Sequence, residues 1–485
     1  MNVKKLIDIL EKRGFFYQTA EIYGGISGFF DLGPLGVLLK NNIIKIFKEV
    51  FVDEFPYKIY EIEASLFAPS NVLKASGHLE RFYDPIIECE KCKSIFRADH
   101  LIEEELNMNV EGISLEKMDE IIKKNNLKCK CGGNFSQTKE FKLLFKSFVG
   151  AKNDEIYLRP ETAQHIFVNF LNVYNSMRAK LPFGILQIGK SFRNEISPRQ
   201  FLIRLREFSQ AEIEFFFNPN YEFSEIDFVL KEKIPIYKRE EQRKNSNIVE
   251  KISIEELIEE KIIPNKLFGL FLLKEIEFYR IIGIEEDKIR FRHLLEEETP
   301  FYSKSNVDLE IKFDFGWKEV VGNAYRTDYD LKQHSKYSNK EIFVVENGKK
   351  FVPHVIEPSF GIERTIYAVL QNSFIENGRG WSYFLFKPKI APIKVAIFPL
   401  VNKDGLAEIA EKIFKDLKKE FECIIEFKDS IGKRYARADE IGIPFCITCD
   451  YQTLEDSTVT IRDIATAKQK RLAINELKES LKKLI

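Results

Sequence analysis

The chain has 485 residues, which at about 150 residues per domain predicts roughly three domains. Hydrophobic residues make up 44% and charged residues 31%, and these globular values exclude disorder, collagen and coiled coil. Lys and Arg total 74 against 75 for Asp and Glu. Because the net charge is only -1, contact with an anionic polymer would depend on a local basic patch.

The sequence also predicts where the protein works. No apolar run approaches the roughly 18 to 20 residues that span a bilayer, so we expect no membrane partner. The N-terminal segment MNVKKLIDILEKRG predicts an amphipathic helix rather than a signal peptide. The seven cysteines are an odd number, and four lie in close pairs, which favours metal binding or free thiols over disulfides. A reducing cytoplasm is the expected location.

The first long element is a buried helix. Apolar residues recur at helical spacing from Leu38 to Phe51, after a turn at Gly33 and Pro34. The helix is predicted to end near Phe55.

The next feature is a pair of cysteine motifs. Cys89-x2-Cys92 is followed after 36 residues by Cys129-x-Cys131-Gly-Gly. Four thiolates in two knuckle-like pairs suit a tetrahedral zinc ion, and segment 89–132 is interpreted as an inserted Cys-rich, zinc-ribbon-like module. Since the second pair is one residue shorter than CxxC, reduced free thiols or a degenerate knuckle remain the alternatives.

Strand patterns and insertions follow. Residues 156–217 alternate strand-like runs with turns, whereas 228–262 is dense in charge and is interpreted as a solvated helical insertion without chemistry. A second set of strands includes GWKEVVG at 316–322 and FVPHVIEPSFGIERT at 351–365.

A linker at 386–392 precedes a region with an α/β pattern at 391–485. Within it, Lys433, Arg434 and Arg437 cluster in the segment GKRYARADE, which is predicted to be a basic turn. A solvated face is an equally good interpretation of this cluster.

The segment SFRNEISPRQFLIRLREFSQAEIEFFF at 191–217 carries most of the candidate site residues. After a loop at Pro198 the pattern has period two, and Arg193 and Glu195 enter from the preceding strand. One strand face would carry Arg204, Arg206, Phe208, Gln210, Glu212 and Glu214. Guanidinium groups bind phosphate, an aromatic ring stacks on a base, and carboxylates hold a cation or an ammonium group. The alternative is an exposed hairpin laced with salt bridges.

Two other segments run from a strand into a helix. In IEPSFGIERT at 356–365, Arg364 would project from the first turn of a helix whose N-terminus favours anions. In YLRPETAQHIF at 157–167, Glu161 and Thr162 would cap a helix. An ordinary helix start explains the second segment equally well.

Together these residues resemble the class II aminoacyl-tRNA synthetases. FRNE at 192–195 with REF at 206–208 is similar to motif 2, and the segment ending in Arg364 is similar to motif 3. The long helix after Gly33 stands where motif 1, the dimer-forming element, would be. The segments that resemble the glycyl-tRNA synthetase family are EIYGGISGFFDLGPLG at 21–36, RPETAQ at 159–164, GWKEVVGNAYRTDYDL at 316–331, EPSFG at 357–361 and GKRYARADEIGIPFCITCDY at 432–451.

The resemblance implies an α+β fold in which a catalytic domain with an antiparallel sheet flanked by helices precedes a C-terminal α/β anticodon-binding domain. The expected division is catalytic domain 1–88, 133–219 and 301–390, Cys-rich module 89–132, partly helical insertion 220–300 and anticodon-binding domain 391–485. It further implies a homodimer and tRNA(Gly) as partner, contacted by Lys433, Arg434 and Arg437.

The resemblance also implies residue roles. Arg193 would hold the α-phosphate of ATP and Arg364 the γ-phosphate, and these two are the catalytic residues. Glu195 would meet the adenine amino group and Phe208 would stack on the ring. The other implied ATP contacts are Asn194, Ile203, Arg204, Arg206, Glu319, Val320 and Gly361. The implied glycine contacts are Arg97, Glu161, Phe208, Gln210, Glu212, Glu357 and Ser359.

The implied reaction joins glycine to AMP with release of pyrophosphate, and then transfers glycine to the terminal ribose of tRNA. Positioning and charge stabilisation, with Mg2+ beside ATP, replace a protein nucleophile. His165, Phe201 and Glu363 depart from the family pattern. The alternatives are a synthetase-like accessory protein without catalysis, and a related synthetase for proline or threonine.

Overall fold

The computed structural model describes residues 2–106, 108, 110, 113–196, 198 and 200–485. The elements up to residue 82 are α1 Val3–Arg13, β1 Phe16–Gln18, β2 Phe30–Leu32, α2 Pro34–Lys48, β3 Ile59–Ile62, β4 Phe67–Pro69, α3 Ser70–Ala75 and α4 His78–Arg81. Helix α2 begins with proline at its first position, where no backbone donor is needed. A π-helical segment Glu49–Asp53 continues it, so the long helix predicted from the apolar period is present.

A small module follows. Its elements are β5 Tyr83–Glu88, β6 Ile95–Arg97, α5 Ala98–Leu106, α6 Leu115–Lys124 and β7 Lys139–Lys142. Strand β5 pairs antiparallel with both β6 and β7. The module has a core of its own, which includes Ile87, Ile102, Met118 and Ile122. A separate core gives the cysteine-bearing loops a support that does not depend on the large sheet.

The next elements lead to the largest strand pair. They are β8 Lys146–Val149, β9 Asp154–Leu158, α7 Ala163–Ser176, β10 Phe183–Phe192 and β11 Glu207–Phe217. Strands β10 and β11 pair in continuous antiparallel register, from Phe183 opposite Phe216 to Phe192 opposite Glu207. The connecting loop therefore returns the chain so that Arg193 lies near the start of β11.

The segment that follows β11 contains β12 Lys233–Tyr237, α8 Arg239–Arg243, β13 Glu250–Ser253, α9 Ile254–Glu259, α10 Lys266–Ile281 and β14 Ile289–His293. The prediction of a solvated helical stretch at 228–262 is wrong for its two strands. Ile234, Ile236 and Ile252 are buried, so the alternation places these isoleucines in the core and turns Lys233 and Lys251 to the exposed face.

The elements that follow, up to the C-terminal region, are β15 Val307–Phe313, β16 Gly316–Thr327, α11 Tyr329–Ser338, β17 Val344–Glu346, β18 Lys349–Phe351, β19 His354–Gly361, α12 Ile362–Ser373, β20 Phe374–Ile375 and β21 Tyr383–Phe384. Within the described ranges, nine strands form one sheet in the order β13-β12-β14-β15-β16-β19-β11-β10-β3. Among these described strands, only β12 with β14 and β10 with β3 pair in parallel. Strands β16, β19 and β11 are central neighbours in this sheet.

The C-terminal region has a five-stranded sheet among its described residues. Its elements are β22 Val395–Pro399, α13 Leu406–Leu417, β23 Cys423–Ile425, α14 Ile431–Ile441, β24 Phe445–Cys449, α15 Tyr451–Asp456, β25 Thr458–Asp463, β26 Gln469–Ala473 and α16 Leu477–Leu484. The basic turn expected at GKRYARADE is helix α14 instead. Ser430 precedes it in extended backbone, and Ala438 anchors it in the core.

The large sheet is covered unevenly, and this decides where a cavity can open. Residues of α2, α10 and α12 pack on one face with odd-numbered residues of β11, such as Ile213 and Phe215. Helix α7 packs on the other face with Phe216. Across the described ranges, every helix is too short or too polar to cross a bilayer.

Candidate active site

A cavity of about 400 Å³ opens on the sheet face that carries the even-numbered residues of β11. Period-two alternation puts Phe208, Gln210 and Glu212 on this face together, as the sequence pattern predicts. The predicted site residues that line it are Glu161, Arg193, Glu195, Ile203, Arg204, Phe208, Gln210, Glu212, Glu319, Glu357, Ser359, Gly361 and Arg364. One cavity therefore holds cationic, aromatic and acidic groups.

Two arginines in this cavity are held by main-chain oxygens. Arg193 Nε donates to the Pro160 carbonyl at 3.1 Å, and its guanidinium carbon lies 5.3 Å from the ring centroid of Phe208. Arg364 Nε donates to the Ile203 carbonyl at 3.1 Å. Because a carbonyl acceptor fixes a guanidinium without neutralising it, these bonds leave the positive charge available to an anion.

The position of Arg364 follows from the end of β19. The strand ends at Gly361, and α12 begins at Ile362, so Arg364 lies in the first helical turn. Arg364 Nη1 donates to the carbonyl of Glu319 at 3.0 Å and lies 3.3 Å from the carboxylate of the same residue. Both side chains of this ion pair are partly exposed, so solvent screens it. The helix N-terminus adds a favourable partial charge at the same end of the cavity.

The loop after β10 is braced from several sides. Arg206 Nε donates to the Glu195 carbonyl at 2.9 Å, and its Nη1 donates to the Ser27 carbonyl at 2.9 Å. The Glu195 carboxylate lies 3.3 Å from Arg204 Nε. Arg206 is therefore placed as a loop brace, although it was expected to contact ATP.

Two further expected ATP contacts also lie away from the cavity wall. The Asn194 N–H donates to the Leu143 carbonyl at 2.7 Å, which ties the loop to a neighbouring segment. Val320 is 1% exposed and belongs to the large core. Strand alternation in β16 turns Val320 into the core while the neighbouring Glu319 lines the cavity.

At the other end of the cavity, Glu212 is held by four hydrogen bonds. The Thr162 N–H and hydroxyl donate to Oε2 at 2.7 and 2.5 Å. The Ser359 hydroxyl and Gln210 Nε2 donate to Oε1 at 2.6 and 2.8 Å. Burial and the nearby Glu161 raise the pKa of Glu212, while the bonds from Ser359 and Thr162 oppose that rise.

Glu161 is a second carboxylate beside Glu212, and only 12% of its side chain is exposed. Its Oε2 lies 3.4 Å from His78 Nε2, and its Oε1 accepts from Gln164 Nε2 at 2.9 Å. Burial alone would raise the pKa of Glu161, but the His78 and Arg326 charges and the Gln164 bond hold it below its usual range. The contact of His78 with Glu161 places this histidine beside the site.

Sequence reasoning missed one buried cation at this end. Arg326 Nη1 donates to Glu357 at 2.7 Å, and its Nε donates to Asp330 at 2.8 Å. Its guanidinium carbon lies 4.0 Å from the ring centroid of Tyr302. The i, i+4 spacing of Arg326 and Asp330 could have indicated their ion pair, but the contact of Arg326 with Glu357 depends on the pairing of β16 with β19.

Burial and neighbouring charges raise the pKa of two more glutamates in this part of the molecule. Burial is the main cause that raises the pKa of Glu357 to about 8, with Arg326 acting against it and Glu212 and Glu161 adding to it. Glu214 is wholly buried, and neither of its carboxylate oxygens has a hydrogen-bond partner among the described residues. Burial and Glu357 raise the pKa of Glu214 well above its usual value. This end of the cavity therefore holds more carboxyl groups than it can keep ionised.

A second acidic pair lines the middle of the cavity. A methyl group added at Gly322 would lie 3.7 Å from Glu319 Oε1 and 3.8 Å from Asp308 Oδ1. Burial and the charge of Glu319 raise the pKa of Asp308 well above its usual value. Two carboxylates that converge on one point suit a divalent cation with oxygen ligands.

Arg97 is placed in a different cavity from the one expected. Its Nη1 lies 3.1 Å from Asp84, and its Nε donates to Asp99 at 3.1 Å. It lines a neighbouring cavity of about 180 Å³ between the Cys-rich module and the loop that bears Glu195 and Arg204. The two aspartates draw Arg97 toward the module, away from the carboxylates expected around glycine.

The four predicted metal ligands come together in the small module. The Sγ atoms of Cys89, Cys92, Cys129 and Cys131 lie within 4.8 Å of one another, with Cys89 to Cys131 at 3.5 Å. At a zinc–sulfur distance of about 2.3 Å, tetrahedral geometry requires sulfur atoms about 3.8 Å apart. A Cβ at Gly133 would lie 2.7 Å from Cys89 Sγ, so the cluster needs a glycine there. The donor set and its spacing therefore fit zinc.

The three basic residues expected to contact tRNA differ in exposure. Arg434 is 2% exposed, and its guanidinium donates to the carbonyls of Pro399 and Glu426 at 2.7 and 3.0 Å. Arg437 pairs with the Glu426 carboxylate at 2.8 Å, whereas Lys433 is exposed. The expectation for Arg434 is corrected, since a buried guanidinium bonded to main-chain carbonyls is a structural group.

Comparisons with known proteins agree with this architecture. The family model described as the tRNA synthetase class II core domain (G, H, P, S and T) matches residues 144–373, and the anticodon binding domain matches residues 394–484. A crystal structure of prolyl-tRNA synthetase from Cryptosporidium parvum has a TM-score of 0.61 over 99% of this chain and 74% of that chain. At 13% identity this likeness shows the fold alone. The expected fold class is confirmed.

Two curated relatives extend the match over nearly the whole chain. The glycine–tRNA ligase of Pyrococcus furiosus is 42% identical over 99% of this chain and 98% of its own length. The glycine–tRNA ligase of Methanocaldococcus jannaschii is also 42% identical, again over 99% of this chain and 98% of its own length. The chain belongs to the glycine–tRNA ligase family, whose members are class II aminoacyl-tRNA synthetases.

Proposed function

We propose that this protein activates glycine with ATP and transfers it to tRNA(Gly). The observation that carries the proposal is one cavity with two arginines and an aromatic ring at one end and a cluster of largely buried carboxylates at the other. ATP offers phosphates and a purine, whereas glycine offers an ammonium group. The two ends of the cavity match these two substrates.

At the nucleotide end, we assign Phe208 as the surface on which adenine stacks. Arg193 lies beside the same ring, so it can contact the α-phosphate of a nucleotide whose base stacks there. Arg364, on the far wall beside Glu319, is assigned to the γ-phosphate. Glu195 at the loop is assigned to the adenine amino group. The fixed guanidinium groups stabilise charge on the α-phosphate without rearrangement during the reaction.

At the amino acid end, we assign Glu161, Glu212 and Glu357 to the ammonium group of glycine. Gln210 and Ser359 hold Glu212 in place, which fixes one acceptor for the ammonium. Because glycine has no side chain, the pocket needs no room for one, and larger amino acids are rejected by steric exclusion.

In the proposed reaction, a carboxylate oxygen of glycine attacks the α-phosphorus of ATP. The bond to the bridging oxygen breaks, so glycyl-adenylate forms and pyrophosphate leaves with the electron pair. The ribose hydroxyl of tRNA then attacks the glycyl carbonyl, and AMP leaves. Arg193 and Arg364 position and stabilise the phosphates, so no protein nucleophile is required.

Mg2+ is implied by the use of ATP, and the acidic pair Asp308 and Glu319 fits it. Both are oxygen donors that converge near Gly322, which is the ligand type that Mg2+ prefers. When bound, the ion would neutralise charge on the phosphate oxygens. The pairing of β15 with β16 fixes the two carboxylates near each other.

The test is glycine-dependent exchange of pyrophosphate into ATP without tRNA. We expect exchange with glycine and none with alanine, serine, proline or threonine at matched concentrations. Exchange with proline or threonine instead would assign a related synthetase. A folded protein that binds tRNA but supports no exchange would be a synthetase-like accessory protein.

We infer that the four-cysteine cluster holds structural zinc. Cys89 and Cys129 are buried, and all seven cysteines are free, which fits thiolate ligation in a reducing cytoplasm. Purified protein should contain one zinc per chain by atomic absorption, and Cys89→Ser should lose it. Cys423→Ser, which changes a thiol outside the cluster, is the matched control and should keep its zinc. Unchanged zinc in Cys89→Ser would place the metal elsewhere.

We also infer that the protein forms a homodimer. The segment before α2 exposes Ile22 by 89% and Tyr23 by 87%, and α2 exposes Val37 by 42%. Apolar residues this exposed favour an interface between two copies of the chain. Analytical ultracentrifugation should give a dimer, and Tyr23→Lys should shift it toward monomer.

We further propose that the chain is divided into a catalytic domain, a Cys-rich module, an insertion and a C-terminal domain, residues 391–485, that binds the anticodon.

A further inference from the structure

One buried carboxylate at the nucleotide end has no place in the proposed chemistry. Glu363 precedes Arg364, lines the same cavity, and is only 6% exposed. Its Oε2 accepts from the Ser209 N–H at 2.6 Å, one residue after Phe208. A negative charge here would stabilise the strand position but would also repel the phosphates of ATP.

A positive charge from helix α2 lies beside this contact. Lys40 Nζ donates to the Ser209 hydroxyl at 2.6 Å, so Ser209 is bonded by Glu363 at its main chain and by Lys40 at its side chain. Burial lowers the pKa of Lys40, and the negative charge of Glu363 opposes that effect. Lys40 and Glu363 therefore stabilise each other's charge through one shared serine.

A second lysine contributes less to this balance. Lys190 Nζ lies 3.9 Å from Glu363 Oε1 but 3.2 Å from Glu207, so its charge is shared between two carboxylates. The Lys190 side chain is also 36% exposed, where solvent screens its charge. Lys40 is largely buried, so solvent screens its charge on Glu363 less than it screens that of Lys190.

We propose that Lys40 and Glu363 are a paired set of positioning residues for ATP. Glu363 holds the backbone behind Phe208, and Lys40 neutralises it so that a carboxylate can lie beside the triphosphate. The pair connects helix α2 to the nucleotide cavity. This inference rests on the proposed function of the cavity as an ATP site.

The test measures binding of ATP and of adenosine to each variant by calorimetry. Lys40→Met removes the buried cation beside Glu363 and leaves only the screened charge of Lys190, so we expect ATP to bind about tenfold more weakly while adenosine, which has no phosphate, changes by less than about twofold. The double variant Lys40→Met with Glu363→Gln removes both charges and should return ATP affinity to near the parent value. Lys40→Arg keeps the charge and should resemble the parent.

Lys45→Met is the matched control, because Lys45 is an exposed residue of the same helix. Equal losses for ATP and adenosine, or no rescue in the double variant, would overturn the pairing and leave a packing role. An unchanged ATP affinity in Lys40→Met would also overturn it. Failure of the parent protein to bind ATP would instead refute the proposed function, so the two failures are distinguishable.

Discussion

The active-site cavity and helix α14 both hold arginine with main-chain carbonyls, but they differ in what the guanidinium faces. Arg193 and Arg364 use one or two carbonyls and line an open cavity. Arg434 donates from its two Nη atoms to the carbonyls of Pro399, Leu400 and Glu426 and is buried. A carbonyl bond therefore positions an arginine for a ligand only when part of the fork stays exposed to the site.

The largest expected effect tests the cavity side of this comparison. Arg193→Ala and Arg364→Ala should each reduce pyrophosphate exchange by about 10² to 10³, because a preorganised donor to the reacting phosphates is lost. The melting temperature should change little, since each side chain lies at the cavity surface. Arg437→Ala, in the other region, is the control and should leave exchange unchanged. Exchange at the parent rate in either cavity variant would refute the assigned roles.

The second prediction concerns the buried arginine of helix α14. Arg434→Ala should lower the free energy of unfolding by about 2 to 3 kcal/mol, because buried carbonyls lose their donor. Denaturant unfolding followed by circular dichroism measures this loss. Exchange of pyrophosphate, which needs only the cavity, should continue in the fraction that remains folded. A variant with full stability but weakened tRNA binding would show that Arg434 faces the RNA after all.

The third prediction uses the charge of the glycine end. Since Glu357 has its pKa raised to about 8, it is largely protonated below that pH and ionised above it. An ammonium group binds better to the ionised form, so the KM for glycine should fall about tenfold as pH rises from about 7 to about 9. Steady-state exchange across this range measures it.

Glu357→Gln is the matched variant for that pH dependence. It keeps an oxygen acceptor for Arg326 but cannot ionise, so its KM for glycine should be higher and nearly independent of pH. The KM for ATP is the internal control, since Glu357 lies at the other end of the cavity. A parent KM for glycine that does not change with pH would refute the role of Glu357 ionisation in glycine binding.

Much of the cavity could be read from the sequence because strand alternation and a strand-to-helix turn are local patterns. Phe208, Gln210 and Glu212 share a face through period two, and Arg364 follows from the turn at Gly361. Charge density misled the prediction at β12 and β13, where it hid the alternating buried isoleucines. Alternation carries more information than composition in such a segment.

The residues that sequence reasoning misplaced or missed depend on partners from other segments of the chain. Arg97 is drawn to Asp84 and Asp99, and Arg326 reaches Glu357 only because two strands pair. In helix α14, Lys433 and Arg437 are four residues apart and lie on the same side, whereas Arg434 is turned by about 100° from Lys433 and is buried. A basic cluster thus predicts a binding face only when its secondary structure is known.

The smallest expected effect sharpens the same comparison within helix α14. Lys433 is the exposed member of the three, so Lys433→Ala should weaken tRNA(Gly) binding about threefold and reduce the salt dependence of binding by about one unit of slope. Filter binding across salt concentrations measures both quantities. Glycine activation without tRNA should be unchanged, because helix α14 lies outside the cavity wall. A loss equal to that of Arg437→Ala would show that the pairing of Arg437 with Glu426 opens on tRNA binding, whereas a larger loss for Lys433→Ala would confirm that the exposed lysine contributes more than the paired arginine.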